Sequence, residues 1–345
     1  MSHLQHNITV LDVARAVGVS KSTAAAAMND LDQSALRGKR ALATRQRVRD
    51  AAARMGYRRS ALATALSVGR IYTVGLVTQV NPNARTEDIN WYQKDVMIAV
   101  SCACARAGLR MTTILVKGAG AVSAADIVDG RIDGAIMTTL GDEILAKSLF
   151  AQKFPAVTIG SGYSERRIGL DNAGGVAAAI SHLVELGHRR IVYVDSRDTG
   201  LFTARERAAG YRAAMAARGL PARILNAGNL NEIFAGMPNA DRPTACVCFN
   251  DGCAVDAVRW ARGAGLAVPE AFSVVGFDNG VAARLADPPL TSVENPIDAQ
   301  ADAAIALLQV IWRGEDCPSP LPLPTRLIIR DSTAVVAACH HPKEL

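Results

Sequence analysis

Four residues in the second half of the chain, Arg207, Asn250, Asp278 and Asn295, carry side chains suited to gripping a small polar molecule. An aspartate accepts from neighbouring hydroxyls, an arginine donates twice from one planar fork, and an asparagine does either. Asn250 follows the apolar run "TACVCF", Asp278 follows "FSVVGF", Asn295 stands in "SVENP", and Arg207 lies beside "TARERAAG". A second group opens near the start, where Ser20, Lys21, Ser22 and Thr23 lead into four consecutive alanines, Ala24 to Ala27. Short hydroxyls and an ammonium at the first turn of a helix are the equipment for touching phosphates and base edges.

The elements around the first group give it a place. From Ile71 onward the runs "IYTVGLV", "MTTILV", "GAIMTT", "AVTIG", "RIVYVD", "TACVCF" and "FSVVGFD" alternate with "DVMIAVSCACARAG", "GGVAAAISHLVELGH", "AAGYRAAMAARG" and "CAVDAVRWARGAG". Alternation of this kind predicts an α/β fold of parallel sheets covered by helices on both faces. Roughly 270 residues suffice for two such lobes. Ligands of open α/β sheets bind outside the carboxyl ends of the strands. Two facing lobes would therefore place Asn250, Asp278, Arg207 and Asn295 along a shared cleft. The competing use of the same side chains is loop capping or bonding between the lobes.

The second group belongs to a different kind of unit. Residues 1–70 hold 12 Lys/Arg against 4 Asp/Glu, whereas the rest of the chain holds 26 against 28. The basic excess thus sits in a small N-terminal segment, the charge pattern of a nucleic-acid-binding module fused to a near-neutral domain. In "ITVLDVARAVGVSKSTAAAAMN", Val10, Val13, Ala14 and Val17 fall on one helical stripe. Gly18 permits the left-handed turn, and Ser20 is placed to cap the next helix. The pattern is helix-turn-helix. A third helix follows in "TRQRVRDAAARMGY", with Val48, Ala52 and Met55 inward and Arg45, Arg47, Arg49 and Arg54 outward.

This ordering resembles the LacI/GalR family of bacterial transcription regulators. The family's opening pattern is matched by Asp12, Val13, Ala14, Gly18, Val19, Ser20, Thr23 and Asn29, and its later pattern by Thr44, Arg45, Arg47, Val48, Ala52, Ala53, Gly56 and Tyr57. The family's hinge pattern is similar to "SALATAL", Ser60 to Leu66. Further matches run in order through "DNAGGVAAAISHLVELGHRRIVYV", "RAAGYRAAM", "RPTACVCFNDGCAVDAVRWARGAGLAVPEAFSVVGFDN", "PPLTSVENP" and "LPTRLIIRDST". The resemblance implies an all-α helix-turn-helix head at 1–58, a hinge helix and linker at 59–70, and a two-lobed periplasmic-binding-protein-like core at 71–345. It implies DNA contacts at Ser20, Lys21, Ser22, Thr23, Asn29, Tyr57, Ala63 and Leu66. Leu66 would be wedged between central base pairs from the minor groove, kinking the duplex, with Ala63 against the groove floor. It also implies effector contacts at Tyr92, Arg207, Asn250, Asp278 and Asn295, and places "INWYQKDV" where aromatics wall the pocket, so that Trp91 or Tyr92 could stack on a sugar face.

One departure concerns the second helix, where the family usually carries V-S-R-V and this chain carries four alanines. Ala24 and Ala27 would face inward, with Met28 filling some space. Ala25 and Ala26 would touch at most a thymine methyl. Polar readout falls to Lys21 and Ser22, and Thr23 is expected on phosphate. A longer connection between Asn29 and Thr44 adds Arg37, Lys39 and Arg40. The expectation is a binder that leans on phosphate contacts and hinge deformation, with a steep salt dependence.

Other classes fit poorly. The stretch "MSHLQHNITVLDV" mixes polar and apolar residues, unlike a signal peptide, and no run reaches the roughly 18 apolar residues of a spanning helix. The seven cysteines follow no zinc spacing and read as reduced, mostly buried hydrophobes of a cytoplasmic protein. "LVKGAGAVS" approaches a dinucleotide fingerprint but lacks the long helix and the acidic residue that must follow. No catalytic triad order or metal-spaced histidine cluster appears, so neither an enzyme nor a bound cofactor is expected. An exported solute-binding protein would share the core but not the basic head. The expectation is a repressor that binds double-stranded operator DNA as a homodimer, since no leucine heptad follows "RDSTAVVAACHHPKEL". A carbohydrate-like effector would tune its affinity. The alternative is a solute sensor whose specific DNA binding has weakened.

Overall fold

The computed structural model describes residues 8–28, 39–57, 69–80, 83, 85, 91–117, 122–138, 143–160, 166–195, 201–232, 241–316 and 322–336. Asn29, Ala63, Leu66 and the expected hinge helix around them lie outside these residues. The chain divides into two compact units, Met1–Ile71 and Tyr72–Leu345.

The first unit holds α1 (Val10–Val17), α2 (Lys21–Met28) and α3 (Lys39–Arg54). Thr9 caps α1 in a reciprocal capping box with Asp12. Gly18 closes α1 in the left-handed region, at φ 69° and ψ 40°. The Thr23 N–H donates to Ser20 Oγ at 3.0 Å, so Ser20 begins α2 as expected. The buried core is Val13, Ala14, Ala24, Ala27, Val48, Ala51 and Ala52. Most of these are methyl groups, and Met28, Met55 and Tyr57 fill in around them. Arg47 Nη2 donates to Val17 O at 3.1 Å, and Arg49 Nε donates to Ala27 O at 3.3 Å. Two of the arginines read as outward-facing thus answer carbonyls at the C-terminal ends of α1 and α2, where a cation is favoured.

The second unit is built on two sheets. The first has the order β2-β1-β3-β4-β5, all parallel. In chain order it comprises β1 (Thr73–Gln79), α4 (Trp91–Arg106), β2 (Arg110–Val116), α5 (Ala124–Ile127), β3 (Gly134–Thr138), α6 (Glu143–Ala151), β4 (Ala156–Ile159) and β5 (Arg167–Ile168). The chain then crosses into α7 (Asn172–Glu185), β6 (Ile191–Asp195), α8 (Phe202–Ala216), β7 (Ile224–Asn226), a 3-10 turn (Ala227–Glu232), β8 (Ala245–Cys248), α9 (Asp251–Gly263), β9 (Ser273–Asp278), α10 (Val281–Leu285) and β10 (Thr291–Glu294). It returns as α11 (Ile297–Trp312), whose Ala301, Ala304, Ile305 and Leu308 pack into the first lobe with Val74, Val100 and Val157. Trp312 Nε1 fixes the far end of α11 by donating to Asp133 O at 2.9 Å. A third crossing leads to β11 (Arg326–Ile328), which completes the second sheet in the order β11-β10-β9-β8-β6-β7.

Two of the crossing segments are zipped together. Asp171 N donates to Leu323 O at 2.9 Å, and Leu323 N donates to Gly169 O at 3.0 Å. The sheets are parallel, as expected, except at one edge, where β11 runs antiparallel to β10. β11 arrives by a crossing between lobes, not through a strand-helix-strand unit, so nothing enforces a parallel direction. Helix α11 and strands β5, β7, β10 and β11 go beyond the sequence expectation. β5 and β7 span two and three residues, too few for any alternation to show.

The second lobe depends on one close approach. A Cβ added at Gly210 of α8 would lie 2.8 Å from the Ala173 Cα of α7, inside contact distance of backbone. Glycine here lets the two helices meet closely enough for their polar side chains to bond. Gly210→Val is expected to cost about 1–3 kcal/mol by overpacking, read as a lower urea midpoint; an unchanged midpoint would mean that α7 and α8 part freely.

Candidate functional site

At the carboxyl ends of the second sheet a buried guanidinium organises the polar groups. Arg207 on α8 is 4 % exposed. Its Nε donates to Asn172 Oδ1 at 2.9 Å, Nη1 to Phe249 O at 2.6 Å and Nη2 to Asp278 Oδ1 at 3.4 Å. The Phe277 and Phe249 rings hold it, with centroids 3.5 Å and 5.0 Å from the guanidinium carbon. The network continues outward: Asn172 Nδ2 donates to Glu206 Oε2 at 2.8 Å, and Arg167 of β5 donates to the same oxygen at 2.8 Å. Arg167 also lies over the Phe202 ring at 4.5 Å. On the other side Asn295 Nδ2 donates to Asp278 Oδ1 at 3.2 Å.

Asp278 is the last residue of β9 and has φ 101°, a backbone conformation a non-glycine residue adopts only under constraint. The constraint is visible in the two residues that follow. Asn279 N donates to Ser292 Oγ at 3.0 Å, and Gly280 N donates to Asp251 Oδ2 at 2.7 Å. Burial raises the Asp278 carboxyl above the usual carboxylate range, while Arg207 beside it pulls it back. Asp251 accepts from Ser292 Oγ at 2.6 Å, yet burial and the charge of Asp278 push it up to about 7. Among the described residues, the two side-chain hydrogen bonds to Asp278 both fall on Oδ1.

Tyr92 of α4 approaches from the first lobe. Its phenol is pushed up to about 12 by burial and by the negative charge of Asp278, with Arg207 opposing. A Cβ at Gly160, just past β4, would lie 3.3 Å from the Tyr92 hydroxyl, so glycine leaves that tip its space. A cavity of about 660 Å³ is lined by Trp91, Tyr92 and Asp95 on one side, by Asn250 and Asp278 on the other, and by Ile297 of α11.

Of the residues singled out from the sequence, Arg207, Asp278 and Asn295 are joined by hydrogen bonds, and Tyr92 faces them electrostatically. Asn250 lines the same cavity, but its Oδ1 accepts from Cys253 N at 2.8 Å and caps α9, the competing role set out for it. Trp91 is 53 % exposed. Sequence reasoning missed Asn172, Glu206, Arg167 and Asp251. A polar residue opening a long apolar helix, as Asn172 does, was the signal available for the first of these.

In the first unit, Ser20 Oγ lies 2.8 Å from both Ser22 Oγ and Thr23 Oγ1. Lys21, Ser22 and Ala25 are exposed on α2, Ala26 is half-buried, and Ala24 and Ala27 are fully buried. Tyr57 is half-buried against the head core, and its N–H donates to Ala52 O at 2.9 Å. Among the described residues there is no cluster of three metal-ligating side chains, and no helix long and apolar enough to cross a membrane.

Residues 180–333 match the family model described as a periplasmic binding protein-like domain. The HTH-type transcriptional regulator PtxS of Pseudomonas plecoglossicida is 29 % identical, across 97 % of this chain and 98 % of that protein. Among solved structures, the Lac repressor dimer bound to operator and the anti-inducer ONPF shares the fold, with a TM-score of 0.78 at 22 % identity over 95 % of this chain and 99 % of that one. The transcriptional regulator CelR–cellobiose complex aligns with a TM-score of 0.65 at 25 % identity over 94 % of this chain and 100 % of that one. The chain is similar along nearly its whole length to LacI-family transcriptional regulators. Its relatives are transcriptional regulators and not enzymes, which sets the dinucleotide reading aside.

The core carries a testable electrostatic signature at Asp251. A carboxyl raised in the fold binds a proton that the unfolded chain releases, so its stabilising contribution is full at low pH and is lost as pH rises through about 7. Between about pH 5.5 and about pH 8, urea unfolding should show wild type losing stability relative to Asp251→Asn. Parallel profiles would show that Asp251 is ionised throughout.

Proposed function

We propose that this LacI-family chain is a cytoplasmic, sequence-specific repressor that binds double-stranded operator DNA as a homodimer and releases or tightens its grip when a small carbohydrate-like effector enters the cleft. The observation that carries the effector half is the Arg207–Asp278–Asn295 network, buried where the strand ends of one lobe face Tyr92 of the other. Asp278 holds its bonds on one oxygen, which leaves the second to accept from a sugar hydroxyl. The cellobiose held by the CelR relative supports a carbohydrate. Arg207 orients Asp278 and offers the ligand its positive charge, Tyr92 supplies a ring face, Asn295 holds the carboxylate, and Asn250 shapes the wall.

The DNA half rests on the basic head, organised as residues 1–58 with a hinge and linker at 59–70 ahead of the sensor at 71–345. Lys21, Ser22 and Ala25 form the outward face of α2. Ser20 and Thr23 present hydroxyls at its start, and Asn29 and Tyr57 add contacts to the duplex. Ala63 and Leu66 enter the minor groove. With a reading helix of such short side chains, affinity comes mainly from phosphates. The Lac repressor dimer on its operator supports a two-headed arrangement, with half-sites spaced by the protein's twofold axis. The sparse polar face of α2 also favours a second reading, a sensor whose specific DNA binding has weakened.

One set of measurements separates the two. Footprinting on the protein's own genomic DNA, followed by anisotropy on the protected duplex, should show specific binding about 10³-fold or more above random competitor. The slope of log affinity against log salt should correspond to at least about six phosphates. Leu66→Ala should weaken specific binding far more than non-specific binding. Asp278→Ala should remove the effect of sugars on the protected duplex. Equal affinity for all duplexes at moderate salt would overturn the repressor reading in favour of the sensor.

A further inference from the structure

Helix α11 enters the first lobe carrying an amide that no described residue satisfies. Gln300 is fully buried, and among the described residues neither its Oε1 nor its Nε2 has a hydrogen-bond partner. Its backbone N–H donates to Pro296 O at 3.0 Å, so the main chain is ordinary helix and the unmet demand belongs to the side chain alone. Five residues earlier, Asn295 is 7 % exposed and directs Nδ2 to Asp278, while its Oδ1 has no partner either. Buried amides of native proteins are bonded almost without exception, because an unmet donor or acceptor forfeits its hydration. The same helical stripe carries Ala301, Ala304, Ile305 and Leu308 deeper in the lobe, where an apolar residue meets the packing need without loss. An amide at the first turn of this stripe therefore answers to something other than the core.

Helix geometry shows where that amide is directed. Ile297 lines the cavity, and Gln300 stands three residues on, over the same face. Side chains on a helix lean toward its N-terminus and cover the turn before their own Cα. The long Gln300 side chain thus reaches back toward the Ile297 turn, the end of α11 beside which Asn295 and Asp278 meet. Asn295 Oδ1 and the Gln300 carboxamide thus stand, without partners among the described residues, on the short segment where β10 passes into α11.

We propose that Gln300 is a specificity-determining residue of the effector site. Its carboxamide, together with Asn295 Oδ1, takes a ligand group that presents a donor and an acceptor on adjacent atoms, as a vicinal diol does. The inference rests on the cleft reading given above and extends it. Arg207 and Asp278 hold one end of the ligand from the second lobe, and Gln300, on a helix packed into the first, holds the other. An analogue lacking one of the two hydroxyls leaves part of the amide buried and unpaired, the situation in which polar sites discriminate most sharply.

The test uses the full chain with cellobiose, D-glucose and 2-deoxy-D-glucose as probes in titration calorimetry, beside Gln300→Met and Gln300→Leu, which keep the volume and remove the hydrogen bonds. Expected is at least a tenfold weaker Kd of both variants for a sugar that wild type binds, loss of the preference for D-glucose over its deoxy analogue, and a Tm no lower than wild type. Sugar affinity and preference equal to wild type in either folded variant would overturn the proposal and leave the cleft reading standing. A lower Tm in both variants would show that the amide is bonded within the protein, and would overturn it likewise. Absence of binding by wild type to every probe, tested at millimolar concentration, would defeat the vicinal-diol assignment and the carbohydrate reading together.

Discussion

A guanidinium stripped of water and clamped between two phenyl rings organises the sensor core. Removing a charge from water is costly unless every donor finds an acceptor of suitable geometry. Arg207 places three of its five N–H groups on three different kinds of acceptor: an amide from α7, a main-chain carbonyl after β8 and a carboxylate at the end of β9. Each acceptor comes from a different element, so satisfying one side chain fixes three segments of backbone. Gly210 brings α7 within reach, and the constrained φ of Asp278 turns its carboxylate toward the guanidinium. The strain at Asp278 is held by Asp251 and Ser292, which in turn tie β10 to the first turn of α9.

The head solves a different problem with far less material. Its core consists largely of alanine methyls, which bury little apolar area each and lose almost no side-chain entropy on ordering. Small side chains let three short helices share one centre without a large residue between them. Hydrogen bonds then carry more of the organisation: the Thr9–Asp12 box starts α1, Ser20 starts α2, and Arg47 and Arg49 hold the last carbonyls of both. Arginines spent in this way contribute charge to the surface while their geometry is already committed.

Much of this was legible in the residues. Strand-helix alternation and the polar residues closing apolar runs located Asp278, because the strand-end rule depends only on chain order, whereas Arg207, inside α8, was pointed to by the family resemblance. The turn at Gly18 and the cap at Ser20 were legible because their chemistry is local. Asn172 and Glu206 were not, since their roles arise from α7 and α8 lying side by side, a contact that sequence spacing does not encode. Asn250 shows the limit from the other side: a side chain at a strand end also stands at a helix start, and capping uses the oxygen first. Helix α11 escaped notice because "IDAQADAAIALLQVIW" follows a strand of one lobe yet is buried in the other, against the usual rule that consecutive elements are neighbours.

That displaced helix has a consequence for how the molecule is made. As the polypeptide leaves the ribosome, the strands of the first sheet emerge early, but the wall against which Val74, Val100 and Val157 close is not synthesised until the segment ending at Trp312. The second sheet in turn waits for Arg326–Ile328 to seal its edge. The first sheet can thus close only after Trp312 has been made, and the second only after Ile328. A nascent chain stalled before Ile297 would hold a first sheet without the apolar helix that packs on it and a second sheet with its β10 edge unpaired, for chaperones to guard.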